Sequence, residues 1–152
     1  MLYLIVIILI LAVDRISKLL IASNMHPGES VPLIHGVINL SYTKNTGAAF
    51  SLFAKHTQLL AVFSAVVIVL VAVFLIRQLK KNPGRKWFLV SMAFIIAGAA
   101  GNLYDRAIYG YVVDFFDLQF VSFAIFNVAD CFITVGAVLF CLCILFDKKI
   151  KL

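Results

Sequence analysis

Residues 57–76 are twenty consecutive uncharged positions, and residues 87–104 are eighteen more. Each is about what the ~30 Å hydrocarbon core of a bilayer asks of a helix rising ~1.5 Å per residue. This constrains the fold more than any other feature, because in lipid every backbone N–H and C=O must find its partner within the protein. Composition agrees: 64% of the 152 residues are hydrophobic and 13% are charged, far from the balance of a soluble globule. The chain reads as an integral membrane protein.

Two further runs are less clean. The first is uncharged from Met1 to Val13, then carries Asp14, Arg15 and Lys18 before ending near Asn24. It lacks the basic start and small-residue cleavage site of a secretory signal, so it reads as a retained helix. The last, about 127–146, is uncharged after Asp130 and stops at Asp147-Lys148-Lys149. The expected fold is therefore membrane α-helical: four transmembrane helices with a small extracytoplasmic β-sheet platform (α+β). One integral membrane domain is expected over 1–152, with spans at about 1–23, 57–76, 87–104 and 127–146 and outer segments at about 25–56 and 105–126.

Charge sets the expected orientation. Arg77, Lys80, Lys81, Arg85 and Lys86 join the second and third spans, and Lys148, Lys149 and Lys151 form the tail, so eight of thirteen cations lie on one side. The positive-inside rule makes that side, and both termini, cytoplasmic. The net charge of +6 follows from this asymmetry and from anionic lipid headgroups near the basic loop. With those loops assigned, no basic stripe with interleaved aromatics is left for nucleic acid. Cys131, Cys141 and Cys143 fall in the last span without metal-ligand spacing and read as buried apolar thiols. His26, His35 and His56 share the first outer segment, also without metal-binding spacing.

Neither outer segment is a simple turn. Val37-Ile38-Asn39-Leu40-Ser41-Tyr42-Thr43 alternates apolar and polar residues, the period of a half-buried strand. Asn45-Thr46-Gly47 supplies turn chemistry, after which Ala48-Ala49-Phe50-Ser51-Leu52-Phe53 either returns as a strand or lies in the membrane interface. Tyr111-Val112-Val113-Asp114-Phe115-Phe116 is rich in β-branched and aromatic residues and reads as another strand. An open sheet edge cannot sit in hydrocarbon, so these strands belong at headgroup level or against protein.

Six of the seven acidic residues are aspartates, and Asp114 and Asp130 flank the second outer segment. Asn127 and Asp130 have the i, i+3 spacing of a capping box; either they only cap the last helix, or Asp130 gains from the positive helix end and acts as a base. Asp114 is either an exposed strand residue or a carboxyl desolvated by Val113, Phe115 and Phe116. Two such carboxyls sharing one proton meet the requirement of an aspartic protease: one takes a proton from water while the other polarises the scissile carbonyl. Gly98, Asn102 and either Asp105 or Arg106 form one helical stripe, with the glycines suited to close packing. The Arg106 fork suits a carboxylate, a phosphate or a peptide carbonyl, and Asp105 is in position to hold it. Asp14 and Lys18 are an i, i+4 pair; snorkelling would account for Lys18, but the short Asp14 needs a nearby partner.

Asp14-Arg15-Ile16-Ser17-Lys18, Asn45-Thr46-Gly47-Ala48-Ala49-Phe50, Gly98-Ala99-Ala100-Gly101-Asn102-Leu103-Tyr104-Asp105-Arg106, Val112-Val113-Asp114-Phe115 and Phe126-Asn127-Val128-Ala129-Asp130 occur in that order. In these five blocks, and over essentially its whole length, the chain resembles signal peptidase II, the bacterial membrane aspartyl protease family. The resemblance implies Asp114 and Asp130 as the catalytic pair. It implies Asn45, Gly47, Asn102, Arg106 and Asn127 around the substrate, with Asp14, Lys18, Gly98 and Asp105 in support. It further implies cleavage of a prolipoprotein just before a diacylglyceryl-modified cysteine, in the bacterial cell membrane and at its outer face. No metal or organic cofactor is implied; the implied partners are the lipid-modified precursor, membrane lipids and inhibitors of the globomycin type, and a monomer is expected.

Two other classes compete. A small proton-coupled transporter would use Asp14, Asp114 and Asp130 as a relay, but no internal repeat accompanies them. A serine or metal intramembrane protease would need a Gly-x-Ser-x-Gly motif or better placed histidines.

Overall fold

The computed structural model describes residues 1–47 and 57–146. The expected segment 48–53, His56 and the lysines of the tail lie outside the described residues. The element order is α1 (Leu2–Asn24), β1 (Ser30–Ile34), β2 (Ile38–Asn45), α2 (Thr57–Lys81), α3 (Lys86–Tyr109), β3 (Val112–Leu118) and α4 (Val128–Phe146).

Among the described residues, three helices, α2, α3 and α4, are long and apolar enough to cross a membrane. The sequence suggested four. The difference is α1, which is 23 residues long but includes Asp14, Arg15 and Lys18 in every membrane-length stretch. Its buried residues, Ile10, Asp14, Lys18 and Ile21, recur along one stripe, while Leu4, Ile8, Leu9, Val13, Ile16 and Leu20 are exposed. An apolar outer face around a polar inner stripe is the reverse of a soluble amphipathic helix.

The central helix is α3, which packs against α1, α2 and α4 and has more than half of its membrane-length stretch buried, whereas few residues of α2 and α4 are buried. Small residues permit this. A Cβ on Gly98 would lie 2.3 Å from the Ala129 carbonyl oxygen and 2.8 Å from Ile133 Cγ1, so only glycine allows α3 and α4 to approach this closely. Below that crossing the core is apolar: Phe88, Leu89, Met92 and Ile96 of α3 with Leu75 of α2. Phe88 stacks on Phe140 at 5.1 Å between ring centroids. Gly110, with φ 75°, ends α3 in the left-handed conformation and turns the chain into β3.

The sheet is antiparallel in the order β1-β2-β3. β2 runs two residues beyond the expected strand, to Asn45, and β3 ends at Leu118 rather than Phe116. A register shift between Leu40 and Thr43 breaks the simple alternation, so the neighbours Ser41 and Tyr42 are both buried. The sequence reading missed β1. It contains Pro32, which argues against a central strand, and it is the edge strand, where proline is tolerated. The sheet is seated on the helices through Ile21 of α1, Tyr42 of β2 and Val113 and Phe115 of β3.

Candidate active site

After β3 the chain doubles back. The Phe116 N–H donates to the Phe126 carbonyl at 2.7 Å, and the Phe126 N–H returns a bond to Phe116 at 3.1 Å. This bridge spans most of the interval between Asp114 and Asp130 and sets the start of α4 beside the strand that carries Asp114. One residue then joins the two carboxylates. The fully buried Asn127 donates from Nδ2 to Asp114 Oδ1 at 2.6 Å, and its backbone N–H donates to Asp130 Oδ2 at 3.1 Å. In return, the Asp130 N–H donates to Asn127 Oδ1 at 3.1 Å. The capping box and the carboxylate pair are therefore the same structure, not alternatives.

Each carboxylate has a second amide donor. Thr43 pairs with Asp114 across the strands, so Asn45, two residues on, is its diagonal neighbour and donates from Nδ2 to Asp114 Oδ2 at 2.8 Å. Asn102 donates from Nδ2 to Asp130 Oδ1 at 2.8 Å. Asp114 is 3% exposed, which removes the reading of it as a solvent-facing strand residue. Burial, then the charge of Asp130, raise its pKa to about 7 against the lowering effect of the Asn45 and Asn127 hydrogen bonds. The carboxyl is thus poised to hold a proton near neutral pH.

Beneath this pair lies a charged layer. The Lys18 side chain is fully buried rather than snorkelled; its ammonium donates to Asn102 Oδ1 at 2.9 Å and forms ion pairs with Asp14 Oδ2 at 2.9 Å and Asp105 Oδ2 at 3.0 Å. Because Lys18 donates to the Asn102 oxygen, the amide nitrogen of Asn102 must point at Asp130. Asp14 Oδ1 accepts the backbone N–H of Ala129 at 2.9 Å, tying α1 to the first turn of α4. Asp105 pairs with Arg15 Nη1 at 3.1 Å and Lys18, not with Arg106 as its neighbouring position suggested. The sequence reading also gave Arg15 no role. It bonds the Tyr109 hydroxyl and lies 5.0 Å from the ring centres of both Tyr104 and Tyr109. Its place beside Asp14 in an apolar run was the available signal, since such a charge needs a partner.

Arg106 donates from Nη2 to the Gly47 carbonyl at 2.9 Å, while Gly47 N–H donates to Asn45 Oδ1 at 2.9 Å. The end of β2 is thereby held over α3 by one guanidinium, and Arg106 Nε is buried without a hydrogen-bond partner among the described residues. Asp114 and Asp130 line one cavity of about 500 Å³ together with Asn45, Asn102 and Arg106, and its remaining wall is largely apolar, from Phe123 and Ile125 to Ile133 and Val135. Asn127 and Gly47 do not line it. They act on the carboxylates and on Arg106 instead, while Gly98 serves the helix crossing.

Helices of membrane length, a sheet seated on their end and two carboxyls opening into a largely apolar cavity define a class: an aspartic peptidase embedded in the membrane. Residues 6–146 match the family described as Signal peptidase (SPase) II. The lipoprotein signal peptidase of Brevibacillus brevis is 39% identical over 97% of this chain and 97% of its own length. That of Lactococcus lactis is 36% identical over 99% of this chain and 98% of its own length. A solved bacterial membrane enzyme, determined by the in meso method at 2.3 Å resolution, superposes with a TM-score of 0.88 at 28% identity, covering 99% of this chain and 93% of that one. The chain belongs to the signal peptidase II family.

Proposed function

We propose that this chain removes the signal peptide from diacylglyceryl-modified prolipoproteins, cutting before the lipidated cysteine. The observation that carries the reading is the joint placement of Asp114 and Asp130 on one cavity, linked through Asn127, in a chain that matches lipoprotein signal peptidases along nearly its whole length. None of the matched relatives supports the transporter reading.

Asp130, at the positive end of α4, is the base, and Asp114, whose proton is held by burial, is the acid. Water loses a proton to Asp130 as its oxygen attacks the scissile carbonyl carbon, and Asp114 gives its proton to the carbonyl oxygen. Asp130 then protonates the leaving nitrogen as the C–N bond breaks, and Asp114 recovers its proton from the collapsing diol. Asn45, Asn102 and Asn127 hold the carboxyls in place through this exchange. Arg106 and the 45–47 turn shape the polar end of the cavity, and Ile133 and Val135 offer an apolar wall to the peptide.

The membrane arrangement follows from the same chemistry. α1 is the fourth span, because ion pairing of Asp14, Arg15 and Lys18 inside the bundle removes most of the cost of placing them at membrane depth. One integral domain then has both termini in the cytoplasm of a bacterial cell, with the sheet at the outer face as the platform over which the peptide is clamped. The enzyme works as a monomer, its substrate arrives through the lipid, and globomycin-type inhibitors occupy the same cavity. The test is cleavage by the purified protein of a precursor with and without its diacylglyceryl group. Rapid cutting of the lipidated form and slow cutting of the bare form is the expected result; equal turnover would refute lipid-dependent positioning.

A further inference from the structure

A second cavity, a groove of about 1130 Å³, lies at the opposite end of α3 and α4 from the carboxylates. Lys86 and Asn102, sixteen residues apart on α3, put the two sites about 24 Å apart at ~1.5 Å per residue. Arg85 and Lys86 form part of its rim, and Leu139, Leu142 and Phe146 of α4 form its apolar wall. Trp87, 70% exposed, stands beside them where an indole suits the membrane boundary. α3 starts here without a side-chain cap, so the positive end of its dipole adds to the two cations.

We propose that this groove binds one phospholipid with an anionic headgroup, the phosphate held at Arg85 and Lys86 and an acyl chain laid along Leu139, Leu142 and Phe146. A cationic rim above an apolar wall at the membrane boundary complements that molecule and no soluble anion. The enzyme is thereby anchored in the leaflet opposite its active site.

The chain has a single tryptophan, so Trp87 reports on the groove directly. The experiment places the full-length protein in nanodiscs and compares quenching of Trp87 by brominated phosphatidylglycerol with quenching by brominated phosphatidylcholine. On the order of tenfold preference for the anionic lipid is expected from two basic contacts. It should fall to near parity in Arg85→Gln/Lys86→Gln and fall in part in Lys86→Gln, with prolipoprotein cleavage within about twofold of the parent. It should persist in Lys80→Gln/Lys81→Gln, in Lys148→Gln/Lys149→Gln/Lys151→Gln and in millimolar inorganic phosphate. Equal quenching by the two lipids in the parent would overturn the proposal. So would displacement by phosphate, loss of preference in the tail variant, or an unchanged preference in the Arg85/Lys86 variant.

Discussion

At the scale of single residues, Asn127 carries the heaviest load: one side chain and one backbone amide fix both carboxyls and the start of α4. Asn127→Ala should lower turnover by about a hundredfold and, through the lost cap, cost about 1 kcal/mol of stability. A kinetic assay paired with thermal unfolding in detergent checks both, and near-parent turnover would count against the linkage. Asp114 gives a pH signature. Its folded carboxyl releases its proton at about 7 rather than the ordinary 3.8, so the folded state binds more protons than the unfolded chain between those values. Stability should therefore fall as pH rises across that window, and kcat/KM should decline as pH passes through about 7. Unfolding temperatures measured against pH should lose this slope in Asp114→Asn. Lys18 shows where reading one helix at a time fails. Its i, i+4 partner Asp14 was visible in the sequence, but Asp105 and Asn102 approach from α3, and no periodicity within α1 announces them.

At the scale of elements, the long uncharged runs made α2, α3 and α4 legible, because the bilayer dictates their length and the absence of charge. The strands were harder. Val112 and Val113 announced β3 by β-branching, but Pro32 hid β1, and the shift between Leu40 and Thr43 spoiled the alternation that defined β2. The site inherits that pattern. The five sequence blocks named the polar residues, whereas their partners, such as Arg106 with Gly47 and Asp105 with Arg15, depend on how elements pack and were not written in local spacing. The α3–α4 crossing is the joint on which this depends. Gly98→Ala would put a methyl group within 2.3 Å of the Ala129 carbonyl oxygen, one residue from Asp130. The helices must separate, at about 1–3 kcal/mol for an overpacked core. The expected outcome is a lower unfolding temperature together with reduced kcat, and a variant with parent values of both would show that the crossing has slack.

At the scale of the whole molecule, charge is sorted into layers: a basic end near 77–86, an apolar middle, an ion-paired layer of Asp14, Arg15, Lys18 and Asp105, and the carboxylate pair under the sheet. The ion-paired layer joins α1 to α3 and keeps polar groups within reach of the site, as the proposed fourth span requires. Lys18→Met should test it, since a buried cluster that loses its central cation is destabilised by about 3–5 kcal/mol. Unfolding in detergent should shift far below the parent, and an unchanged transition would mean that the aspartates find compensation elsewhere. All of these layers lead to the two carboxyls they support. The most direct measurement is turnover of a diacylglyceryl-modified precursor by Asp114→Asn and Asp130→Asn, each first shown to unfold cooperatively like the parent. Loss of nearly all cleavage in both is the predicted result, and sustained cleavage by either folded variant would contradict the aspartate pair.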